Sequence, residues 1–284
     1  MSKANYTPPS LTGKPVKALV PPGKCQFTVD FTSVNLLERV SVSPTSSVLR
    51  FELPDKSAPL NLSTCACVLA KKTIKNDNGE VENVIRPYTP ISTNALTGCF
   101  DLLVKDYGGE AKMSKALCEM KIGEALEFKH IEFNVKIQAP FKAKKIAMLV
   151  GGTGITPMIQ ALHAILGAGE EKQDVIMLYG SKVSEDILGK EMLDVWVKDY
   201  SDRFEVVHIL SHEPEDSQWD GQRGFIDKER IDKYLPDPSV GDDLLIFVCG
   251  PPPMYDALCG PRNEKSLTGL LANLGFKKEQ VYKF

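Results

Sequence analysis

The chain has 284 residues, 43% of them hydrophobic and 25% charged, and a formal net charge of −3 at pH 7. This balance is typical of a folded globular protein with room for two domains, and it argues against broad affinity for nucleic acid. No apolar run approaches the roughly 20 residues that cross a bilayer. The start, Met1-Ser2-Lys3, lacks a myristoylation glycine and the apolar core of a secretion signal. We therefore expect a soluble, cytoplasmic protein without a transmembrane segment, which a partner could recruit to a membrane surface. We also expect a monomer.

The cysteines are odd in number and lack the paired spacing of metal ligands. We interpret them as reduced thiols, most of them in the core, and we expect no metal site. They are Cys25, Cys65, Cys67, Cys99, Cys118, Cys249 and Cys259.

Two patterns follow one another along the chain, after an arm (1–24) that carries five prolines. We expect this arm to lie over the next domain or to be disordered. Residues 25–139 show short strands broken by turns and one helical stretch at 113–120, which predicts a six-stranded antiparallel barrel. The strands are expected at 25–31, 40–53, 64–72, 98–104, 125–128 and 132–137.

From residue 140 to 284, strands and helices alternate, which predicts a parallel α/β sheet with right-handed crossovers. The fold class is therefore a two-domain α+β protein, an antiparallel barrel followed by a parallel α/β domain. Strands are expected at 145–150, 175–180, 204–210 and 243–249, and helices at 157–167, 185–198 and 227–235.

The barrel half contains Arg86-Pro-Tyr-Thr-Pro-Ile-Ser92. An arginine fork suits phosphate oxygens, Tyr88 offers an aromatic face and a hydroxyl, and Thr89 can hydrogen-bond to a heteroaromatic edge. A proline-punctuated edge strand with a surface arginine would show the same pattern. Downstream, Gly108-Gly109 precedes Lys112-Met-Ser114 at the start of the helical stretch, where a helix N-terminus could hold a pyrophosphate.

In the second half, the strand at 145–150 leads into Gly151-Gly-Thr-Gly-Ile-Thr-Pro157. We expect Thr156 to be the helix N-cap and Pro157 the first helical residue. Glycines here allow backbone N–H groups to approach a phosphate, although they would also serve a tight turn alone.

The last buried-looking strand ends in Cys249-Gly-Pro-Pro-Pro-Met254. Gly250 admits close approach of a flat ligand, and the prolines fix the direction of the backbone. Since ligands bind at the carboxyl edge of an open parallel sheet, Cys249 is expected to face the crevice there. A buried cysteine that merely ends a core strand remains the alternative.

Taken together, RPYTPIS, GGEAKMS, GGTGITPM and CGPPPM, in this order, resemble the cytochrome b5 reductases of the ferredoxin NADP reductase superfamily. The resemblance covers roughly residues 30 to 284. It implies a flavin-binding barrel, a nucleotide-binding sheet, and FAD and NADH as cofactors. It also implies hydride transfer from the nicotinamide to flavin N5, after which electrons pass singly to a haem protein such as cytochrome b5.

The resemblance also implies roles for individual positions. Tyr88, Thr89 and Cys249 would lie at the reacting rings, Cys249 beside the nicotinamide. Contacts to FAD would come from Arg86, Pro87, Tyr88, Thr89, Leu103, Lys105, Lys112, Met113, Ser114 and Thr156. Contacts to the nicotinamide nucleotide would come from Gly151, Gly152, Thr153, Gly154, Ser211, Arg223, Phe225, Gly250, Pro251 and Met254.

Three segments depart from this family pattern. At 61–65 many relatives carry a glycine and a polar pair, and 130–136 replaces a glycine-containing turn near the adenosine of the flavin. Ser211 stands where NADH-selective relatives place an aspartate, which would repel a 2′-phosphate. Because Arg223 could pair with that phosphate, we expect use of NADPH alongside NADH.

Two other functions stay open. The flavoenzyme could serve another acceptor, such as an oxygenase, a quinone or a ferric chelate. The same fold could also act as a non-enzymatic redox-sensing module, because a fold alone does not fix a function.

Overall fold

The computed structural model describes residues 11, 13–16, 24–75, 79, 81–108, 112–131, 137, 139–167 and 172–284. The chain groups into two compact units. Unit 1 comprises Met1–Ala139 and Ile159–Gly167, and unit 2 comprises Pro140–Met158 and Ala168–Phe284. The main division thus follows Ala139, while one later segment groups with the first unit.

Unit 1 is built on a six-stranded antiparallel sheet of order β4-β3-β6-β1-β2-β5. One helix, α1, packs against strands β3, β4 and β5. The antiparallel architecture expected for this half is therefore confirmed. The elements are β1 (Thr32–Ser43), β2 (Ser46–Glu52), β3 (Val68–Lys75), β4 (Val81–Tyr88), β5 (Cys99–Lys105), α1 (Lys112–Cys118) and β6 (Ala125–His130).

The core of unit 1 centres on four phenylalanines, Phe27, Phe51, Phe100 and Phe128, each at most 2% exposed. Their ring centroids lie between 5.0 and 5.8 Å apart, in edge-on and stacked pairs. Such pairs add about 0.5–1.5 kcal/mol each beyond the area that they bury. They fix the face of the sheet that points inward, and hence the face that is left for a ligand.

The individual strands of unit 1 differ from those predicted. Residues 25–31 are irregular, and the single strand expected at 40–53 is the end of β1, a turn at Pro44 and Thr45, and β2. β4 is an additional strand, whereas most of the predicted strand at 132–137 lies outside the described residues.

Unit 2 is a six-stranded parallel sheet of order β10-β9-β8-β7-β11-β12, which confirms the alternating pattern. Its strands are β7 (Lys145–Gly151), β8 (Asp174–Ser181), β9 (Phe204–Leu210), β10 (Gln222–Arg223), β11 (Leu244–Cys249) and β12 (Val281–Lys283). Its helices are α2 (Ile155–Leu166), α3 (Lys190–Asp199), α4 (Lys228–Tyr234), α5 (Pro252–Leu258) and α6 (Gly269–Asn273).

The strand order of unit 2 reverses beside β7. The chain proceeds from β7 through β8 to β9 in one direction, and then crosses to β11 on the other side of β7. In open α/β sheets this reversal opens a crevice at the carboxyl ends of the two strands, where ligands bind. The carboxyl ends of β7 and β11 are therefore the place to look for a site.

Candidate nucleotide and flavin sites

The two motifs of unit 2 meet at this strand reversal. Val150 near the end of β7 is paired with Cys249 at the end of β11. After β7, a short 3-10 turn at Gly152–Gly154 leads directly into α2. GGTGITP and CGPPPM therefore lie side by side at the carboxyl ends of β7 and β11.

Two glycines, Gly151 and Gly154, are required by this close approach. A Cβ on Gly154 would lie 2.1 Å from the Cys249 carbonyl oxygen, and one on Gly151 would lie 2.8 Å from Pro251 Cδ. These distances are below any normal contact, so a side chain at either position would separate the two motifs. A Cβ on Gly250 would meet the sulfur at the flexible end of Met254, within its own motif, at 2.5 Å.

Gly152 has a different role. Its φ of +52° is in the left-handed region, and a Cβ there would meet nothing within 4 Å. Its carbonyl accepts a hydrogen bond from the hydroxyl of the buried Tyr179 on β8, at 3.1 Å. The turn therefore leaves its backbone uncovered by side chains beside the crevice. The hydrogen bond from Tyr179 stabilises the geometry of the turn on its buried side.

Thr156 is not the helix N-cap. The helix begins at Ile155, so Thr156 lies inside its first turn and its hydroxyl donates to the Thr153 carbonyl at 3.2 Å. Pro157 is the third helical residue. The 3-10 turn runs straight into α2, which removes the extended N-cap residue that the motif predicts.

Cys249 has a tyrosine partner that sequence reasoning missed. Tyr255 on α5 is 2% exposed, and its hydroxyl donates to the Phe284 carbonyl at 2.7 Å. Burial, followed by the charge and hydrogen bond of Cys249, raises the pKa of this phenol far above its usual range. The phenol is therefore neutral at physiological pH, and it ties Cys249 to the end of β12.

At the ends of β8 and β9, Ser211 lies among hydrogen-bonding partners. Its hydroxyl donates to the Ser181 carbonyl at 3.3 Å and lies 2.7 Å from His212 Nδ1. The His212 ring meets Phe225 edge-on, with centroids 6.5 Å apart, and Phe225 is 69% exposed. An exposed aromatic ring and a hydroxyl thus stand where a nucleotide ribose and base are expected.

Arg223 stabilises the loop between β9 and β10. Its Nη1 donates to the carbonyls of Glu213 and Pro214, and its Nη2 donates to Ser217 Oγ and the Trp219 carbonyl, all at 2.9–3.1 Å. These bonds use all four Nη protons. Pairing of Arg223 with a 2′-phosphate therefore stays a prediction, and it would require this loop to give up some of these bonds.

In unit 1, the RPYTPIS segment begins at the end of β4. Arg86 is exposed and pairs in register with Ala70, and Tyr88 pairs with Val68. Tyr88 is half-buried against the core of unit 1, and burial raises its pKa well above the usual range for a phenol. The exposed, positively charged side chain of Arg86 therefore lies two residues before the half-buried, neutral ring of Tyr88.

β5 and α1 supply the neighbouring groups. Because Phe100, Leu102 and Val104 point into the core, Leu103 and Lys105 lie on the opposite face of β5. Lys112 at the start of α1 is half-exposed and 2.8 Å from Glu82, while Met113 and Ser114 are buried. Of the GGEAKMS motif, Gly109, Glu110 and Ala111 lie outside the described residues.

These residues fit a flavin dinucleotide by their chemistry. The exposed guanidinium of Arg86 and the ammonium of Lys112 match phosphate oxygens, and Tyr88 and Leu103 match a flat apolar ring. Tyr107, which sequence reasoning missed, is 62% exposed and lies two residues after the end of β5. An aromatic residue so soon after the strand that carries Leu103 and Lys105 would have been a usable signal.

The segment at 61–65 keeps a glycine-like backbone without glycine. Asn61 and Cys65 have φ values of 56° and 61°. The left-handed conformation costs most residues roughly 1–2 kcal/mol, and asparagine less. Two non-glycine residues thus adopt this conformation within one short segment. Most of 130–136 lies outside the described residues.

Among the described residues, no three histidine, cysteine, aspartate or glutamate side chains come together as ligands for a metal ion. In the same part of the chain, no helix has the length and apolar character of a membrane span.

Family models match both units. The model for an oxidoreductase FAD-binding domain matches residues 33–136, and that for an oxidoreductase NAD-binding domain matches residues 148–260. NADH-cytochrome b5 reductase 2 of Scheffersomyces stipitis is 38% identical over 259 residues, which are 90% of this chain and 84% of that protein. The chain belongs to the NADH-cytochrome b5 reductase family. The Candida albicans protein of the same name is also 38% identical, over 90% of this chain and 83% of its own length.

Solved structures agree with this membership of the NADH-cytochrome b5 reductase family. The cytochrome b5 reductase domain of Ulva prolifera nitrate reductase superposes with a TM-score of 0.78 at 27% identity, covering 94% of this chain and 99% of that one. The CS-b5R domains of human Ncb5or in the NAD+ form, at 23% identity and a TM-score of 0.73, share the fold over 89% of this chain and 69% of theirs. The chain is an FAD- and NAD(H)-binding flavoprotein oxidoreductase.

Proposed function

We propose that this protein takes a hydride from NADH onto FAD and delivers the electrons singly to cytochrome b5. The observation that carries the proposal is the meeting of Gly151–Gly154 with Cys249 and Gly250 at the strand reversal of unit 2. FAD, when bound, supplies the ability to accept two electrons together and release them one at a time. Membership of the NADH-cytochrome b5 reductase family supports the acceptor.

The side chains of unit 1 would bind and orient the flavin. Arg86 would hold its phosphates, as would Lys112, Met113 and Ser114, and Tyr88 and Thr89 would contact the ring system. Pro87 would keep the intervening backbone extended. Leu103 and Lys105 would contribute from β5. No general acid, base or nucleophile is required, since orientation and exclusion of water suffice for hydride transfer.

In unit 2, the glycines at 151, 152, 154 and 250 would bring backbone against the nicotinamide nucleotide, together with Thr153, Pro251 and Met254. Cys249 would lie beside the nicotinamide ring, with its thiol tied to Tyr255. Ser211 and Phe225 would contact the adenosine part. Cys249→Ala should therefore raise the KM for NADH and leave FAD bound.

The acceptor is tested by steady-state turnover with cytochrome b5, ferricyanide and a quinone, each at saturating NADH. Preference for cytochrome b5 that weakens with salt supports the proposal, because basic side chains steer acidic protein surfaces. Charge reversal of Lys115, which is exposed on α1 beside the proposed flavin contacts, should then slow cytochrome reduction alone. Equal rates with a quinone and no dependence on salt would favour another acceptor.

We also propose that the protein accepts NADPH as well as NADH as its electron donor. The support is that Ser211, directly after β9, places no carboxylate where it would repel a 2′-phosphate. The kcat/KM ratio for the two nucleotides tests this. A deficit for NADPH above a thousandfold, roughly 4 kcal/mol, would refute it.

A further inference from the structure

A glutamine on α2 forms two hydrogen bonds to the segment that follows Tyr88 and Thr89. Gln160, within unit 1, donates from Nε2 to the Pro90 carbonyl at 2.9 Å and to the Ser92 carbonyl at a still shorter distance. An amide NH2 group has two protons, and both are used here. Because both acceptors are carbonyls, the nitrogen and not the oxygen of the amide must face them.

The opposite edge of the same segment pairs with β5. The Ile91 N–H donates to the Asp101 carbonyl at 2.9 Å, and the Asp101 N–H donates to Ser92 Oγ at 3.0 Å. Ile91 is fully buried, and Asp101 is held by Arg50 at 2.7 Å. Residues 90–92 are therefore fixed along one edge by a strand and along the other by a single side chain.

Thr89 is the link between two anchors. Tyr88 before it is fixed by its pairing with Val68 on β3, and Pro90 after it is fixed by Gln160. A single residue between two held neighbours has little freedom to turn. The conformation of Thr89, and with it the position of its hydroxyl, therefore depends on the hydrogen bonds that Gln160 donates.

We propose that Gln160 is a positioning residue for flavin binding, which sets the orientation of Thr89 through the carbonyls of Pro90 and Ser92. The proposal rests on the proposed function, since it assumes that Thr89 contacts FAD. Gln160 itself need not touch the cofactor. Its loss should alter the flavin's surroundings and affinity, beyond any loss of stability.

The chain offers a matched control outside the site. Gln280, 2% exposed, likewise donates from Nε2 to two carbonyls, those of Pro238 at 3.2 Å and Gly241 at 2.9 Å. Gln160→Leu and Gln280→Leu both remove a pair of bonds donated to carbonyls, and Gln280→Leu also removes the bond that Gln280 Oε1 accepts from the Lys277 N–H. Both should lower the unfolding midpoint. Only Gln160→Leu should raise the FAD dissociation constant, by roughly tenfold, because a loosened Thr89 must be ordered again when the flavin binds.

The decisive readouts are the FAD dissociation constant, from fluorescence quenching, and the visible circular dichroism of bound flavin. Gln160→Glu, which is nearly isosteric but repels both carbonyls when ionised, should change both readouts if Gln160→Leu does not fold. Recovery of the wild-type spectrum as the pH is lowered would support the proposal, because a protonated carboxyl donates again.

Wild-type flavin affinity and dichroism in both Gln160 variants, with stability lowered as in Gln280→Leu, would overturn the proposal and leave the proposed function intact. Failure of the wild-type protein to bind FAD would overturn both.

Discussion

The close contact between the nucleotide-binding motifs makes Gly154→Ala a severe test of the site. The new Cβ would lie 2.1 Å from the Cys249 oxygen, 2.5 Å from its carbonyl carbon and 3.0 Å from the Gly250 nitrogen. All three are backbone atoms, which cannot rotate away. The turn and the end of β11 would have to separate by roughly 1 Å to restore ordinary contact.

Two consequences of this separation can be estimated. Overpacking of this kind costs roughly 1–3 kcal/mol of folding stability. The displaced atoms belong to Cys249 and Gly250, and misplacement by about 1 Å can cost a factor of roughly 100 in rate. We expect kcat/KM for NADH to fall by about that factor while FAD stays bound, because the FAD site lies in unit 1.

Gly180→Ala is the matched control for this experiment. Its Cβ would lie 3.4 Å from the Val150 oxygen, an ordinary contact in the same sheet. Stopped-flow reduction of the flavin by NADH and thermal unfolding should be measured for both variants. Wild-type NADH kinetics in Gly154→Ala would refute the claim that the contact of the two motifs forms the nucleotide site.

Three further predictions concern the donor, the flavin and pH. Ser211→Asp should lower kcat/KM for NADPH by at least tenfold and leave NADH little changed, since a carboxylate repels the 2′-phosphate; equal losses for both nucleotides would count against this placement. Arg86→Gln should raise the FAD dissociation constant roughly ten- to a hundredfold by removing a charge-assisted hydrogen bond, whereas unchanged titrations would exclude phosphate contact. Burial lowers the pKa of His163 from 6.5 to about 4. The folded state thus prefers neutral His163, and stability should fall as the pH drops from 6.5 towards 4. This fall should be smaller in His163→Gln, and identical pH profiles of the unfolding midpoint would contradict the reasoning.

Unit 2 could be predicted from the sequence because its central strands are buried on both faces. Such strands are nearly continuous apolar runs, as in β7 and β11, and they contrast with the helical periodicity between them. Unit 1 was harder to predict. In β4, Val84 alone is buried, so the strand lacks an apolar pattern. Conversely, residues 25–31 include the buried Phe27 but hold their place through side-chain bonds from Gln26 to loop carbonyls.

The hairpin between β1 and β2 shows a related limit. Pro44 and Thr45 reverse the chain, but they lack the Asn-Gly or Asp-Gly signal of a tight hairpin. The alternation of residues continues through the turn, and one long strand is the natural interpretation. Only the antiparallel register of Val40 with Val48 shows that two strands are present.

The motifs of the site were predictable because each is a contiguous stretch of sequence. The side chains that hydrogen-bond to these motifs from other elements were not predictable. Tyr179, Tyr255 and Gln160 act on the site from other elements, and no local pattern marks them. The role of Arg223 depends on which way the carbonyls of 213–219 turn, which composition does not encode. Side chains that hold a site in place are thus found from geometry rather than from spacing.

The central claim is that reducing equivalents pass from a nucleotide in the crevice of unit 2 to a flavin held by unit 1. Anaerobic titration of the FAD-loaded protein with NADH tests it most directly. We predict that the visible flavin absorbance disappears after one equivalent of NADH, and that it returns when oxidised cytochrome b5 is added. Retention of the oxidised spectrum in excess NADH, with both ligands bound, would contradict the account.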